Sequence, residues 1–187
     1  MAAIIQRVGP LKLQYREPSF ETLVRSIVYQ QLSGRVASVI FGRLHAAAGE
    51  ERLTPAGIMK LRPERMRKLG LSAQKTRYIR ELAKHTKRGS VVFETLLESD
   101  DAAVIEHLTR VKGIGVWTAQ MFLMFALRRN DVLPVGDLGI RIAMKKAYGL
   151  EEMPKPAEME KIAAAWKPYT SIACWYLWRS LDNAAAV

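Results

Sequence analysis

The sequence holds a single cysteine, Cys174, among 187 residues. No disulfide can form within the chain, which points to a reducing compartment. One cysteine also excludes a four-cysteine iron–sulfur cluster held by this chain alone. Histidine is scarce as well. His45, His85 and His107 lack the close spacing of metal ligands and read as surface or helix residues. Long apolar runs are missing. Met1 to Arg16 contains none, so no signal peptide is expected. Val116 to Leu127 is the longest such stretch, is broken by Thr118 and Gln120, and at about 12 residues is too short to cross a bilayer. Acidic residues are outnumbered: 29 Lys and Arg face 18 Asp and Glu, for a net charge of +11. That imbalance implies a polyanionic partner, nucleic acid first. With 49% hydrophobic residues, the chain is not of the disordered class.

Alternating runs of strand length are also few, and Val91-Val92-Phe93 is too short to build a sheet. Helical signals dominate instead. Phe20, Leu23, Val24, Ile27 and Val28 recur at helical spacing after Pro18-Ser19, predicting a helix over 20–31. Ser33, Thr54 and Ser72 each stand where an N-cap is wanted, and Pro55 suits the first helical position. Gly49 and Gly89 mark stops. Ser99 is expected to cap a helix with Asp100 and Asp101 in its first turn. Further helices are expected over 116–128, 137–148 and 157–166, with a last one near Pro168 to Leu181. The segment 116–128 is apolar nearly all round, as in a central buried helix. The expected fold is all-α, with two closely packed helical lobes. One lobe covers 18–128; the other covers 1–17 plus 129–187.

Two stretches carry candidate chemistry. Leu108 to Ala126 reads helix, hairpin, helix, with Lys112-Gly113-Ile114-Gly115 at the turn. Glycines there permit positive φ and close approach, and the next helix presents unpaired N–H groups and a positive dipole end. Together they suit a phosphate oxygen, with Lys112 adding charge. A packing turn is the alternative. Downstream, Asn130 to Gly136 forms a loop leading into Asp137 at the start of a helix. Asp137 suits an N-cap. A carboxylate in that position can also stabilise positive charge on a sugar or orient water.

Lys112 to Ala119, followed by Pro134-Val135-Gly136-Asp137, resembles the helix–hairpin–helix DNA glycosylase superfamily. That signature places its aspartate about 20 positions beyond the hairpin, the interval from Trp117 to Asp137. Ile27 to Ser33, the Trp117-Thr118-Ala119 continuation, and Trp166 to Trp178 are similar to the 3-methyladenine DNA glycosylase II branch. Only about 17 residues precede the first expected helix, so the resemblance is to a compact form without an additional N-terminal domain.

The resemblance implies an active-site cleft between the lobes, with Asp137 as the catalytic carboxylate. It implies phosphate binding by Lys112, Gly113, Gly115 and Thr118, and a duplex wedge at Leu32 with Gln31. It implies a base pocket of Trp117, Met121 and Trp178; because aromatic faces attract a cationic base, Trp117 and Trp178 are the first candidates and Trp175 or Tyr176 the next. Met121 departs from relatives that carry a tyrosine there. Carbonyls of Thr109, Val111 and Ile114 match positions that can hold Na+ or K+; no other cofactor is implied. Lyase-competent relatives carry a lysine where this chain has Trp117, so the expected enzyme is monofunctional. It would be a hydrolase of base excision repair, flipping alkylated purines such as 3-methyladenine and 7-methylguanine out of double-stranded DNA. The expected protein acts as a monomer, away from membranes. It would be cytoplasmic at the nucleoid in a prokaryote, nuclear in a eukaryote, and not secreted. A non-catalytic helix–hairpin–helix DNA-binding module also fits the charge and glycines. The same fold acting on uracil, mismatched or oxidised bases is a further alternative.

Overall fold

The computed structural model describes residues 1–49 and 51–182. The described residues contain helices and no strand. In chain order these are α1 (Ala2–Val8), α2 (Phe20–Tyr29), α3 (Gly34–Ala48), α4 (Pro55–Lys60), α5 (Pro63–Lys68) and α6 (Ala73–Lys87). Then come α7 (Phe93–Glu98), α8 (Asp101–Thr109), α9 (Val116–Phe125), α10 (Leu138–Tyr148), α11 (Pro156–Ala163) and α12 (Thr170–Asp182). One turn of 3-10 helix, Ala164–Trp166, extends α11.

Capping chemistry sets most of the starts. The side chains of Ser19, Ser33, Thr54 and Ser72 accept from the N–H groups of Thr22, Val36, Gly57 and Lys75. Each satisfies one of the donors that a first turn leaves without an intrahelical partner. One expectation fails here. Asp100 caps α8 by accepting from Ala103 N–H at 2.7 Å, while Ser99 closes α7 and donates its hydroxyl to Thr95 O. The carboxylate holds the site where its charge faces the helix dipole.

The chain forms two compact units. Arg16–Phe122 is one; Met1–Tyr15 with the described part of Leu123–Val187 is the other. The division runs through α9, whereas the sequence placed that whole helix with the first lobe. A helix apolar on all faces has no single side to give to one core. Phe122 meets Phe93, ring centroids 6.2 Å apart, in the first unit. Leu123 O accepts from Arg129 N–H in the second. The helix also ends at Phe125, before the expected Arg128, and Arg128 turns the chain with φ 57.

In the first unit α6 is the hub, packing on α2, α4 and α5. Ile79, Leu82 and Ala83 are fully buried on its inner side. Its flanks supply two cations to other helix ends. Lys75 reaches the last carbonyls of α2, and Arg80 donates to Leu61 O at the end of α4. Cations at helix C-termini meet orphan carbonyls and the negative dipole end. In the second unit α12 packs on α1 and α10. Helix α1 was not legible as a helix, being a single stretch of seven residues with no side-chain cap. It is fixed by burial of Ile4 and by Tyr176 donating its hydroxyl to Gly9 O at 3.1 Å.

Leu82→Ala should lower stability by about 2–5 kcal/mol, the range for truncating a buried leucine. Val39→Ala, on the exposed side of α3, should change it by less than about 0.5 kcal/mol. Urea denaturation followed by circular dichroism measures both; equal effects would contradict the core assigned to α6.

Candidate active site

The hairpin spans residues 110–115 between α8 and α9. Gly113 has φ 105, and a Cβ added there would lie 2.2 Å from Tyr78 Cγ. Backbone and ring are therefore in direct contact, and only glycine fits. Gly115 differs from expectation: its φ is not positive, and a Cβ there would meet nothing within 4 Å. Gly115 leaves open space before α9 and accepts Ala119 N–H as the helix begins. Among the described residues no protein acceptor faces the N–H groups of Gly113 and Gly115. With the exposed Lys112, these donors stand at the positive end of α9, suited to an anion.

The peptide after Gly113 is held from both sides. Ile114 N–H donates to Val111 O at 3.0 Å, and Gly113 O accepts from Gln30 Nε2 at 3.1 Å. Gln30 also donates to Thr118 Oγ1 at 3.3 Å. Thr118 is buried, so its hydroxyl braces the hairpin from inside rather than facing a phosphate. The stretch from Ile27 to Ser33 points in sequence to Leu32 and Gln31, whereas the bracing role of Gln30 depends on partners 83 and 88 residues away.

Helix α2 ends at Tyr29, two residues before the expected Gln31. Gln31 takes φ 55, a left-handed conformation unfavourable for a residue with a Cβ. Leu32 follows, 38% exposed at the tip. An apolar side chain held outward in this way is available to enter a base stack. The carbonyls of Thr109, Val111 and Ile114 all lie in or beside the hairpin. Such neutral oxygens suit a hard monovalent cation better than a divalent ion, which favours carboxylates.

The second unit carries the carboxylate. Asp137 caps α10: its Oδ1 accepts from Ile140 N–H at 2.8 Å and from Trp178 Nε1–H at 2.9 Å. The preceding loop positions it, with Asp137 N–H donating to Pro134 O. Gly139 leaves room for the arrangement. A Cβ there would stand 3.1 Å from Asp137 Oδ1 and 3.1 Å from Trp178 Cδ1. Gly139 was missed, although it lies two positions after the aspartate. Asp137 is 9% exposed, and its neighbour Cys174 is fully buried. Burial, with the Asp137 charge added, pushes the Cys174 thiol up from 9.0 to about 12. Both effects oppose a second negative charge at this place.

The aromatic candidates divide by exposure. Trp117 is 43% exposed in the first turn of α9, an uncommon position for tryptophan without a ligand to cover it. Met121, one turn on, is half-buried. Trp178 is half-buried in the other unit, its ring centroid 6.0 Å from that of Phe125. Trp175 and Tyr176 are buried and pack edge to face at 5.0 Å, which makes them core residues.

Gly113→Ala should destabilise the protein by at least about 1–2 kcal/mol, from the positive φ and the Tyr78 clash. Gly115→Ala should cost less than about 1 kcal/mol yet weaken binding to undamaged duplex. Thermal denaturation and fluorescence anisotropy separate the two; equal destabilisation would refute the distinct roles. Cys174 should resist iodoacetamide at pH 8 in the native protein and react fully in denaturant, because the thiol stays protonated well above that pH. Rapid native labelling, read by mass spectrometry, would count against the buried thiol.

Comparisons with known proteins bear on this geometry. The model for the HhH-GPD superfamily base excision DNA repair protein matches residues 24–168. DNA-3-methyladenine glycosylase 1 of Schizosaccharomyces pombe is 34% identical over 182 residues, covering 96% of this chain and 80% of that one. The solved structure of DNA-3-methyladenine glycosidase from Bacillus halodurans superposes with a TM-score of 0.86 at 38% identity, covering 99% of this chain and 85% of that chain. The S. pombe 3-methyladenine DNA glycosylase, solved in complex with abasic DNA, gives 0.83 at 33% identity, covering 95% and 89%. A hairpin braced on Gln30 and an aspartate capping the helix after the Gly/Pro loop thus sit within a match over most of the chain, and the protein belongs to the HhH-GPD superfamily of base excision DNA repair proteins.

Proposed function

We propose that this protein is a monofunctional DNA glycosylase that hydrolyses the N-glycosidic bond of alkylated purines, 3-methyladenine and 7-methylguanine, in double-stranded DNA. The observation that carries the reading is the Asp137 carboxylate, with one oxygen fixed by Ile140 N–H and Trp178 Nε1–H at the start of α10. The relatives named for 3-methyladenine support the substrate class.

A base within a duplex is shielded by stacking and must be turned out before reaction. The hairpin donors and Lys112 hold the backbone, and Leu32 with Gln31 fills the gap left in the stack. Alkylation gives the purine a delocalised positive charge. An aromatic face is worth about 0.5–2 kcal/mol to such a cation; Trp117 offers one, with the polarisable thioether of Met121 one turn on, and Trp178 is the candidate on the unit that carries Asp137. As the C1′–N bond breaks, its electron pair goes to the base, which leaves neutral and needs no strong acid. Positive charge then develops on the sugar, and the fixed carboxylate of Asp137 stabilises it. Water adds at C1′ and releases a proton, leaving an abasic site. Trp117 supplies no amine where a lyase would need one to form a Schiff base. A Na+ or K+ ion on the carbonyls of Thr109, Val111 and Ile114 would add positive charge beside the clamped phosphate.

Asp137→Asn keeps an oxygen acceptor for Ile140 and Trp178, so the fold should persist while the charge is lost. Base release from methylated DNA, identified by mass spectrometry, should fall about 10²–10³-fold with duplex binding retained. Wild-type rates in the variant would remove Asp137 from the chemistry. Borohydride should trap no covalent complex with DNA; a trapped adduct would show an amine nucleophile. Release of uracil or 8-oxoguanine in preference to methylated purines would shift the substrate class.

A further inference from the structure

Lys75 Nζ lies 2.7 Å from the carbonyl oxygens of both Val28 and Gln30. These belong to the last turn of α2 and the residue after it, groups that a helix leaves without intrahelical partners. An ammonium there also meets the negative end of the helix dipole. Lys75 is half-buried, and burial lowers its pKa. Its position on α6 is set by Ser72, which caps that helix and accepts from Lys75's own N–H at 3.1 Å.

The segment that Lys75 grips is strained and then anchored again. Gln30 leaves the helix at ψ 128, and Gln31 takes φ 55. Leu32 is exposed, and Ser33 at once caps α3 by accepting from Val36 N–H. A left-handed residue with a Cβ persists where its surroundings over-determine it. Here the determinants are the Lys75 ammonium on the main chain and the Gln30 amide on Gly113 O and Thr118 Oγ1. The same residue, Gln30, is thus held by α6 through its carbonyl and holds the hairpin through its side chain. An apolar tip can prise bases apart only if it does not retreat under load, and this tip is fixed on both sides.

We propose that Lys75 and Gln30 are positioning residues that lock the Leu32 tip to the glycine hairpin, so that duplex wedge and phosphate clamp act as one rigid piece. The inference rests on the glycosylase reading above. Lys75 then serves base flipping without touching DNA, and its effect passes through Leu32.

The test uses the full chain and a duplex holding one 7-methylguanine beside 2-aminopurine, whose fluorescence reports unstacking. Lys75→Met and Gln30→Met keep side-chain length and remove the donors. Each should slow single-turnover excision about tenfold and reduce the 2-aminopurine signal, as expected for misplacement of a positioning group. With the lesion opposite an abasic analogue, where the stack is already weakened, the loss should shrink to about twofold. Adding either change to Leu32→Ala should bring no further loss, because both act through the same side chain. Lys75→Arg should recover part of the rate. Losses that add to that of Leu32→Ala, or that are the same on both substrates, would overturn the proposal. If Lys75→Met does not fold, Gln30→Met decides, since it leaves the end of α2 capped. Wild-type protein that unstacks 2-aminopurine but releases no base would instead refute the glycosylase reading and leave the positioning result standing.

Discussion

A single carboxylate oxygen holds the start of α10 and the indole of α12 together. Asp137 Oδ1 takes the Ile140 amide and the Trp178 indole N–H, over a glycine that leaves room for both. Two donors on one oxygen fix the rotamer of the carboxylate. The consequences spread through the unit. The helix gains its cap and Trp178 gains its orientation beside Phe125, while burial first and the Asp137 charge second keep the Cys174 thiol protonated. The capping carboxylate is held by fixed dipoles, and a group so held needs no reorganisation when charge develops near it.

The hairpin unit follows a different logic, in which a cavity of one missing Cβ decides the geometry. Gly113 lies against the Tyr78 ring, and its carbonyl is turned inward to Gln30. Among the described residues, the N–H groups of Gly113 and Gly115 meet no protein acceptor and stand ahead of the dipole of α9. Much of the positive charge of this chain sits on the surface, where it attracts a polyanion without choosing where it binds. Lys75 and Arg80 are exceptions to the surface pattern, since both are spent on the carbonyl ends of neighbouring helices.

Local chemistry was readable because it involves residues three apart. Ser33, Thr54, Ser72 and Asp137 all cap the helices that their positions imply. Ser99 and Asp100 are both good caps, and the turn that closes α7 claims the serine and leaves Asp100 to cap α8. Helix α1 escaped notice because its stability comes from α12, far away in sequence. The bracing roles of Gln30, Lys75, Tyr78 and Gly139 escaped for the same reason. Each depends on a contact whose partner the sequence does not name.

The sequence by itself determined the helical class, the basic character, the position of most caps, and the pairing of a glycine hairpin with a downstream aspartate. These follow from composition and short spacing, which the backbone reads locally. Only the tertiary structure decided that Thr118 faces inward, that Trp175 and Tyr176 belong to the core while Trp117 is exposed, and that one oxygen of Asp137 serves α10 and α12 together. Those outcomes depend on which side chains meet across tens of residues, and burial and hydrogen-bond satisfaction select them only once the helices have packed.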